Sequence, residues 1–235
     1  MKKALSCVAA LLAIAVSTSA AAVTFTSIGD TTTITFNGLG DPPGGGGKVV
    51  VPGLSATMDL TLLSKSATQF VLTYSLTNTS TLAGTRIGGI GFDIAPDLVL
   101  APTSTGIFDN AELGGFTASF DSEACFWVGG GSCPQGAGNE GIDNGDTGLG
   151  TLTLNYAAAP GAVTLTNFLD RYQGFNSGGI QSAVGQGTEG PIRNPNQFSV
   201  TPEPTTWAMM LIGFGFIGGA MRRRNRQQTV RLTYA

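Results

Sequence analysis

The chain has 235 residues, no histidine, 35 glycines and only 11% charged residues. Without histidine it can build neither a Ser-His-Asp nor a Cys-His nucleophilic site. Between Val23 and Val200, five basic residues (Lys48, Lys65, Arg86, Arg171 and Arg193) face fourteen acidic ones, so no basic stripe is available to neutralise phosphates and nucleic acid is not an expected partner.

Met1, Lys2 and Lys3 form a positive start, Ala4 to Val16 an apolar stretch, and Ser17 to Ala22 a run of small residues. Residues 1–22 therefore read as a secretory signal peptide, forming a signal helix handled by the Sec machinery and cut after Ala20 or Ala22. Cys7 follows the lysines too closely to mark a lipoprotein and leaves with the peptide.

Residues 23–190 read as the body. Val23, Phe25, Ile34 and Phe36 stand among threonines at the spacing of strands. Asn37 to Lys48 contains Pro42-Pro43 and four consecutive glycines, a loop composition. Met58, Leu60 and Leu62, then Phe70, Leu72, Tyr74 and Leu76, alternate with polar residues on either side of a turn at Ser64 to Ala67, which predicts a hairpin with one apolar face. Ile90, Phe92 and Ile94 predict another strand, with Gly88, Gly89 and Gly91 marking a bulge or a close backbone approach. Further strands are expected at Phe116 to Phe120 leading to Cys125 and Trp127, at Leu152 and Leu154, and from Val163 and Leu165 into Phe168 and Tyr172. A last short strand, Phe198 to Val200, falls in a linker over residues 191–200. No stretch of the body has the helical apolar spacing over three turns. The expected class is all-β: a β-sandwich or jelly-roll-like extracellular domain, flanked by the N-terminal signal helix and a C-terminal transmembrane helix.

After signal removal only Cys125 and Cys133 remain, and in an oxidising compartment they are expected to pair as a structural staple. Asn139, Glu140, Asp143, Asn144 and Asp146 form the densest acidic stretch. Carboxylate and carboxamide oxygens on a glycine-bent backbone suit Ca²⁺, the one candidate cofactor, although the spacing matches neither an EF-hand nor an RTX repeat and also suits a polar hairpin turn. Trp127, beside Phe126 and inside the Cys125–Cys133 loop, is a candidate platform for a sugar ring, or else a core or edge aromatic packed under the loop. Catalysis without histidine would fall to a carboxylate pair, as in glycosidases. No residue pattern singles out such a pair, so an enzyme is not the expected reading.

Three signals stand in series at the C-terminus: Pro202-Glu203-Pro204, an uncharged run from Trp207 to Met221, and Arg222, Arg223 and Arg224. The prolines hold the triplet extended, the run suits a membrane (segment 205–221), and the arginines hold one end on the cytoplasmic side. Trp207 to Met221 as a helix spans about 22 Å, short of a hydrocarbon core of about 30 Å and short for a permanent single-pass anchor, the alternative reading. The triplet, Trp207-Ala208, Gly213-Phe214-Gly215 and the arginine cluster together resemble the PEP-CTERM sorting signal of Gram-negative bacteria, over residues 201–226. That resemblance implies recognition by an exosortase, transit through the inner membrane, release to the cell surface or an extracellular polysaccharide matrix, and a structural or adhesive role in a biofilm. The alternative is an extracellular glycan-active enzyme using a carboxylate pair. Residues 227–235 extend beyond the usual end of such signals as a cytoplasmic tail. Asn167 to Gly174 also resembles segments of the cistern family of such proteins.

Overall fold

Alternation of apolar and polar residues is what the backbone follows. In the computed structural model, which describes residues 22–41, 47–117, 120–134, 140–158 and 160–194, every second side chain of the predicted hairpin is buried: Met58, Leu60 and Leu62 on one strand, Phe70, Leu72, Tyr74 and Leu76 on the other. The two strands pair antiparallel from Ala56↔Asn78 to Lys65↔Phe70. Period-two alternation puts all seven apolar side chains on one face, and each such burial stabilises the fold by up to about 1.5–3 kcal/mol.

Among the described residues fourteen strands form in chain order: β1 (Val23–Phe25), β2 (Thr31–Phe36), β3 (Leu39–Gly40), β4 (Val49–Val50), β5 (Ala56–Lys65), β6 (Gln69–Asn78), β7 (Arg86–Ala95), β8 (Thr103–Gly106), β9 (Asn110–Leu113), β10 (Ala124–Trp127), β11 (Ile142–Asp143), β12 (Thr147–Asn155), β13 (Val163–Ser177) and β14 (Ile180–Glu189). Among the described residues there is no helix. The strands make one sheet in the order β8-β12-β6-β5-β2-β14-β13-β7-β10-β9, with every pairing antiparallel. The ends of that order meet: Ser104 of β8 donates its hydroxyl to the Asn110 carbonyl of β9 at 3.1 Å. The sheet is thus nearly closed, which leaves little unpaired edge. The all-β expectation holds. The two faces of a sandwich are here continuous, because β14 pairs with β13 along Ile180 to Gln186 and with β2 along Gly187 to Glu189. The signal and transmembrane helices and the strand Phe198 to Val200 were expected at positions outside the described residues, apart from Ala22.

One large apolar cluster fills the interior. Phe92 is central to it, with its ring 5.4 Å from Phe126 and 5.6 Å from Phe168, centroid to centroid. A smaller cluster of Phe116, Cys125, Trp127, Leu169 and Val184 lies apart, with Phe120 and Cys133 packed against it. Phe116 to Phe120 was expected as a strand; of its described residues, Thr117 and Phe120 form an isolated bridge, their amides donating to each other's carbonyls at 2.8 and 3.1 Å. Phe116 belongs to that second cluster and Phe120 packs against it. The glycines of β7 mark the close approach expected of them. A Cβ at Gly91 would meet Ser122 Oγ at 2.6 Å and Phe116 at 2.8 Å, and one at Gly89 would meet the Phe126 carbonyl at 2.9 Å.

A bulge in β13 decides which side chains reach the interior. Pairing with β7 shifts register between Thr166 and Leu169, where Asn167 takes φ 51°, a left-handed conformation that asparagine tolerates. Val163 and Leu165 face the core before the bulge, and Phe168 and Tyr172 face it after. The extra residue moves the inward set from odd to even positions. Asp170 is thereby carried into the interior and Arg171 to the opposite face.

Candidate functional site

The expected staple is formed: Cys125 on β10 is bonded to Cys133, with Cα atoms 6.1 Å apart. It ties the 128–134 loop over the second cluster. Trp127, the candidate sugar platform, is buried to 7% exposure in that cluster, so its ring offers no free face for stacking. It packs there with Phe116, Cys125, Leu169 and Val184.

The acidic stretch forms a turn joining β11 to β12. Arg86 Nε donates to Asp143 Oδ1 at 2.6 Å, Asn144 Nδ2 donates to the Leu82 carbonyl at 3.2 Å, and the Asp146 amide donates to the Asp143 carbonyl at 3.0 Å. Glu140 is exposed, and Asn139 lies outside the described residues. Among the described residues no group of three or more His, Cys, Asp or Glu is placed to hold a metal ion.

Carboxylates do converge elsewhere. Asp93, Asp121 and Glu123 line one cleft with Asn167, Leu98 and Leu113. Glu123 accepts from the Leu98 and Ile94 amides, and Asp93 from the Glu123 amide and from Asn167 Nδ2 at 3.1 and 3.0 Å. Asp121 accepts from the Ser122 amide at 3.0 Å. Their oxygens are engaged in stitching loops to β7 and β13, which is structural work for a carboxylate.

A second cleft lies between the arms of the β3–β4 hairpin, the Thr117 turn, and β13 and β14. Its walls include Asp41, Lys48, Phe116, Thr117, Arg171 and Ser182, around a volume of about 320 Å³. Lys48 Nζ is 2.6 Å from Asp41 Oδ2 and 5.1 Å from the centroid of the Phe120 ring. Arg171 Nε is buried and has no hydrogen-bond partner. Burial pulls this guanidinium below the usual arginine range, and nearby Asp41 opposes that pull. Sequence reading did not find this cleft. Lys48 is far in the chain from Arg171 and Ser182, and the signal available was the scarcity of basic residues in the body.

A third feature is the outward face of β8, β12, β6, β5 and β2. Cross-strand register aligns Thr31, Thr61, Thr73, Thr151 and Thr105 in one row, and Thr35, Thr57, Thr77 and Thr147 in another. Hydroxyls pair along them, with Thr61 to Thr31 at 2.9 Å, Thr105 with Thr151 at 2.7 Å and Thr77 with Thr147 at 2.8 Å. Such cross-strand pairs stabilise a sheet by about 0.2–1 kcal/mol each. They also leave two rows of hydroxyls on that face, with Thr33, Asp59, Ser75 and Leu149 in the row between them.

The body is thus an all-β domain whose described features are a staple, two clefts and a hydroxyl face, joined to a C-terminal address. That address has a family: residues 200–224 match the model of the PEP-CTERM protein-sorting motif, so the chain carries this motif. The motif marks a secreted protein that passes through the membrane and is recognised by an exosortase. Pro202, Glu203, Pro204, Trp207, Ala208 and Arg222 to Arg224 all belong to the matched span and lie outside the described residues. Among curated proteins and among solved structures, nothing matches the chain.

Proposed function

We propose that this protein is a non-catalytic component of a Gram-negative cell surface or its polysaccharide matrix. It is exported with loss of residues 1–22, held transiently in the inner membrane by residues 205–221, and processed by an exosortase near Pro202-Glu203-Pro204. The observation that carries this reading is the sorting-motif match at residues 200–224. The threonine rows add support for an adhesive or structural role, because aligned hydroxyls offer both donors and acceptors to a hydroxyl-rich polymer. The body belongs, on this reading, with cistern-like relatives that Asn167 to Gly174 resembles.

Retention of the exported protein by its own cells' exopolysaccharide tests the role. Replacing Thr61, Thr73 and Thr151 by valine keeps β-branched strand formers while removing three hydroxyls from one row. The triple variant is expected to be retained less while melting within a few degrees of the parent, and undiminished retention would remove the hydroxyl face from the account. The second reading is a glycan-active enzyme using a carboxylate pair, and Asp93, Asp121 and Glu123 are the acids the fold brings together. Release of reducing sugar from the native polysaccharide would establish that reading in place of the first.

A further inference from the structure

We propose that the cleft holding Arg171 and Lys48 binds the carboxylate of an acidic sugar, a uronate unit of an extracellular polysaccharide. This rests on the matrix reading above and names the chemistry of the polymer.

Charge placement is the first observation. The body has few cations and many acids, yet two of its five basic residues line this one cleft. Arg86 is spent on Asp143, and Lys65 donates to the carbonyls of Thr26 and Gly161 at 3.1 and 2.9 Å. In the cleft Asp41 answers Lys48 at 2.6 Å, and among the described residues no carboxylate lies within bonding distance of the Arg171 guanidinium. The cleft is therefore locally positive on an acidic domain, and an anion supplied from outside would complete it.

Arg171 is the second observation. Its Nε is out of contact with solvent and has no acceptor. Arg171 also lines the cleft, so its charge stands beside the space an anion would fill. Guanidinium presents a planar fork of donors that matches a carboxylate in two parallel hydrogen bonds, and Lys48 adds a point charge beside it.

The remaining walls choose among carboxylates. Thr117, Gln181 and Ser182 provide hydroxyl and amide groups able to bond sugar hydroxyls, and Phe116 and Leu39 provide apolar surface for a ring. A volume of about 320 Å³ lies at the lower end of the range for small-molecule sites, about 300–1,000 Å³, and suits a single sugar unit more than a long segment. The cleft thus offers one charge contact, several neutral polar contacts and one apolar wall, the combination a uronate presents in return.

The test is titration calorimetry on the full chain with a glucuronic acid trisaccharide, the matching neutral glucose trisaccharide, and inorganic phosphate. Glucuronate is expected to bind at least about tenfold more tightly than either of the others, with an affinity that falls as salt is added. Arg171→Gln and Lys48→Gln are each expected to weaken it by about tenfold or more. Lys48 sits on an exposed hairpin arm, so its variant should melt with the parent and keeps the test informative if Arg171→Gln fails to fold. Equal binding of the neutral sugar, phosphate binding as tight as glucuronate, or unchanged binding by Lys48→Gln would overturn the assignment. Matrix retention is read separately. Retention without uronate binding overturns the cleft and leaves the matrix role standing, whereas uronate binding without retention supports the cleft and removes the matrix role.

Discussion

Replacing Asp170 by asparagine is expected to flatten the dependence of stability on pH. Asp170 has no exposed surface, and neither carboxylate oxygen has a hydrogen-bond partner in good geometry. Burial pushes its carboxyl well above the ordinary aspartate range, and the nearby Tyr172 hydroxyl and Gly185 amide oppose that shift without cancelling it. The native protein therefore holds a proton that the unfolded chain releases above about pH 4. Because the native state binds more protons, this stabilisation is complete below the unfolded value and is lost as pH rises toward the folded one. One proton corresponds to about 1.4 kcal/mol per pH unit within that window, or about 3–6 °C in melting temperature for a body of this size. Asparagine keeps the shape and has no proton to lose. Two other acids shape the background. Glu189, half-buried, is raised by burial and adds a weaker slope of the same sign. In Asp30, burial is outweighed by the Ser27 and Thr26 amides and Asn194, so its carboxyl is lowered and its contribution is lost only as pH falls below about 4. Melting curves of the parent and Asp170→Asn at pH 5, 6, 7 and 8 should diverge, the parent falling and the variant holding nearly level. Parallel curves would refute the buried, protonated Asp170.

Three further outcomes follow from the packing. Gly185→Ala is expected to destabilise by about 1–3 kcal/mol in chemical denaturation, because its Cβ would run into Asp170 Oδ1 and the Asn37 carbonyl. Loss of the staple in Cys125→Ser/Cys133→Ser is expected to lower stability by about 2–3 kcal/mol, since the bridge closes a short loop over the second cluster. A chelator is expected to leave the melting midpoint unchanged, because Asp143 is answered by Arg86 and Asn144 by the Leu82 carbonyl. A lower midpoint in chelator would show a bound metal.

What could be read from the sequence was what repeats locally. The β5–β6 hairpin, the strand at Ile90 to Ile94 and the cysteine pair each announce themselves within a short window, through period two or through compartment chemistry. β14 did not, because the residues that would carry its alternation are glycines. Gly185 yields its space to Asp170 and Gly187 to Ile34 and Phe168, so the strand is shaped by partners distant in the chain. The bulge at Asn167 was hidden for a similar reason: one inserted residue reverses the inward face, and only pairing with β7 reveals it. Trp127 reads as available because it stands in a glycine-rich disulfide loop, yet residues distant in the chain, Phe116, Leu169 and Val184, pack with it. The cleft of Arg171 and Lys48 depends on register between β13, β14 and the β3–β4 hairpin, which residue type alone does not encode.

The central claim is that residues 200–224 act as an address that is removed, and mass spectrometry of the exported protein's C-terminus tests it most directly. A mature chain that ends near Pro202-Glu203-Pro204 is the predicted result. An exported chain that still reaches Ala235 would contradict processing and make the apolar run from Trp207 to Met221 a lasting anchor.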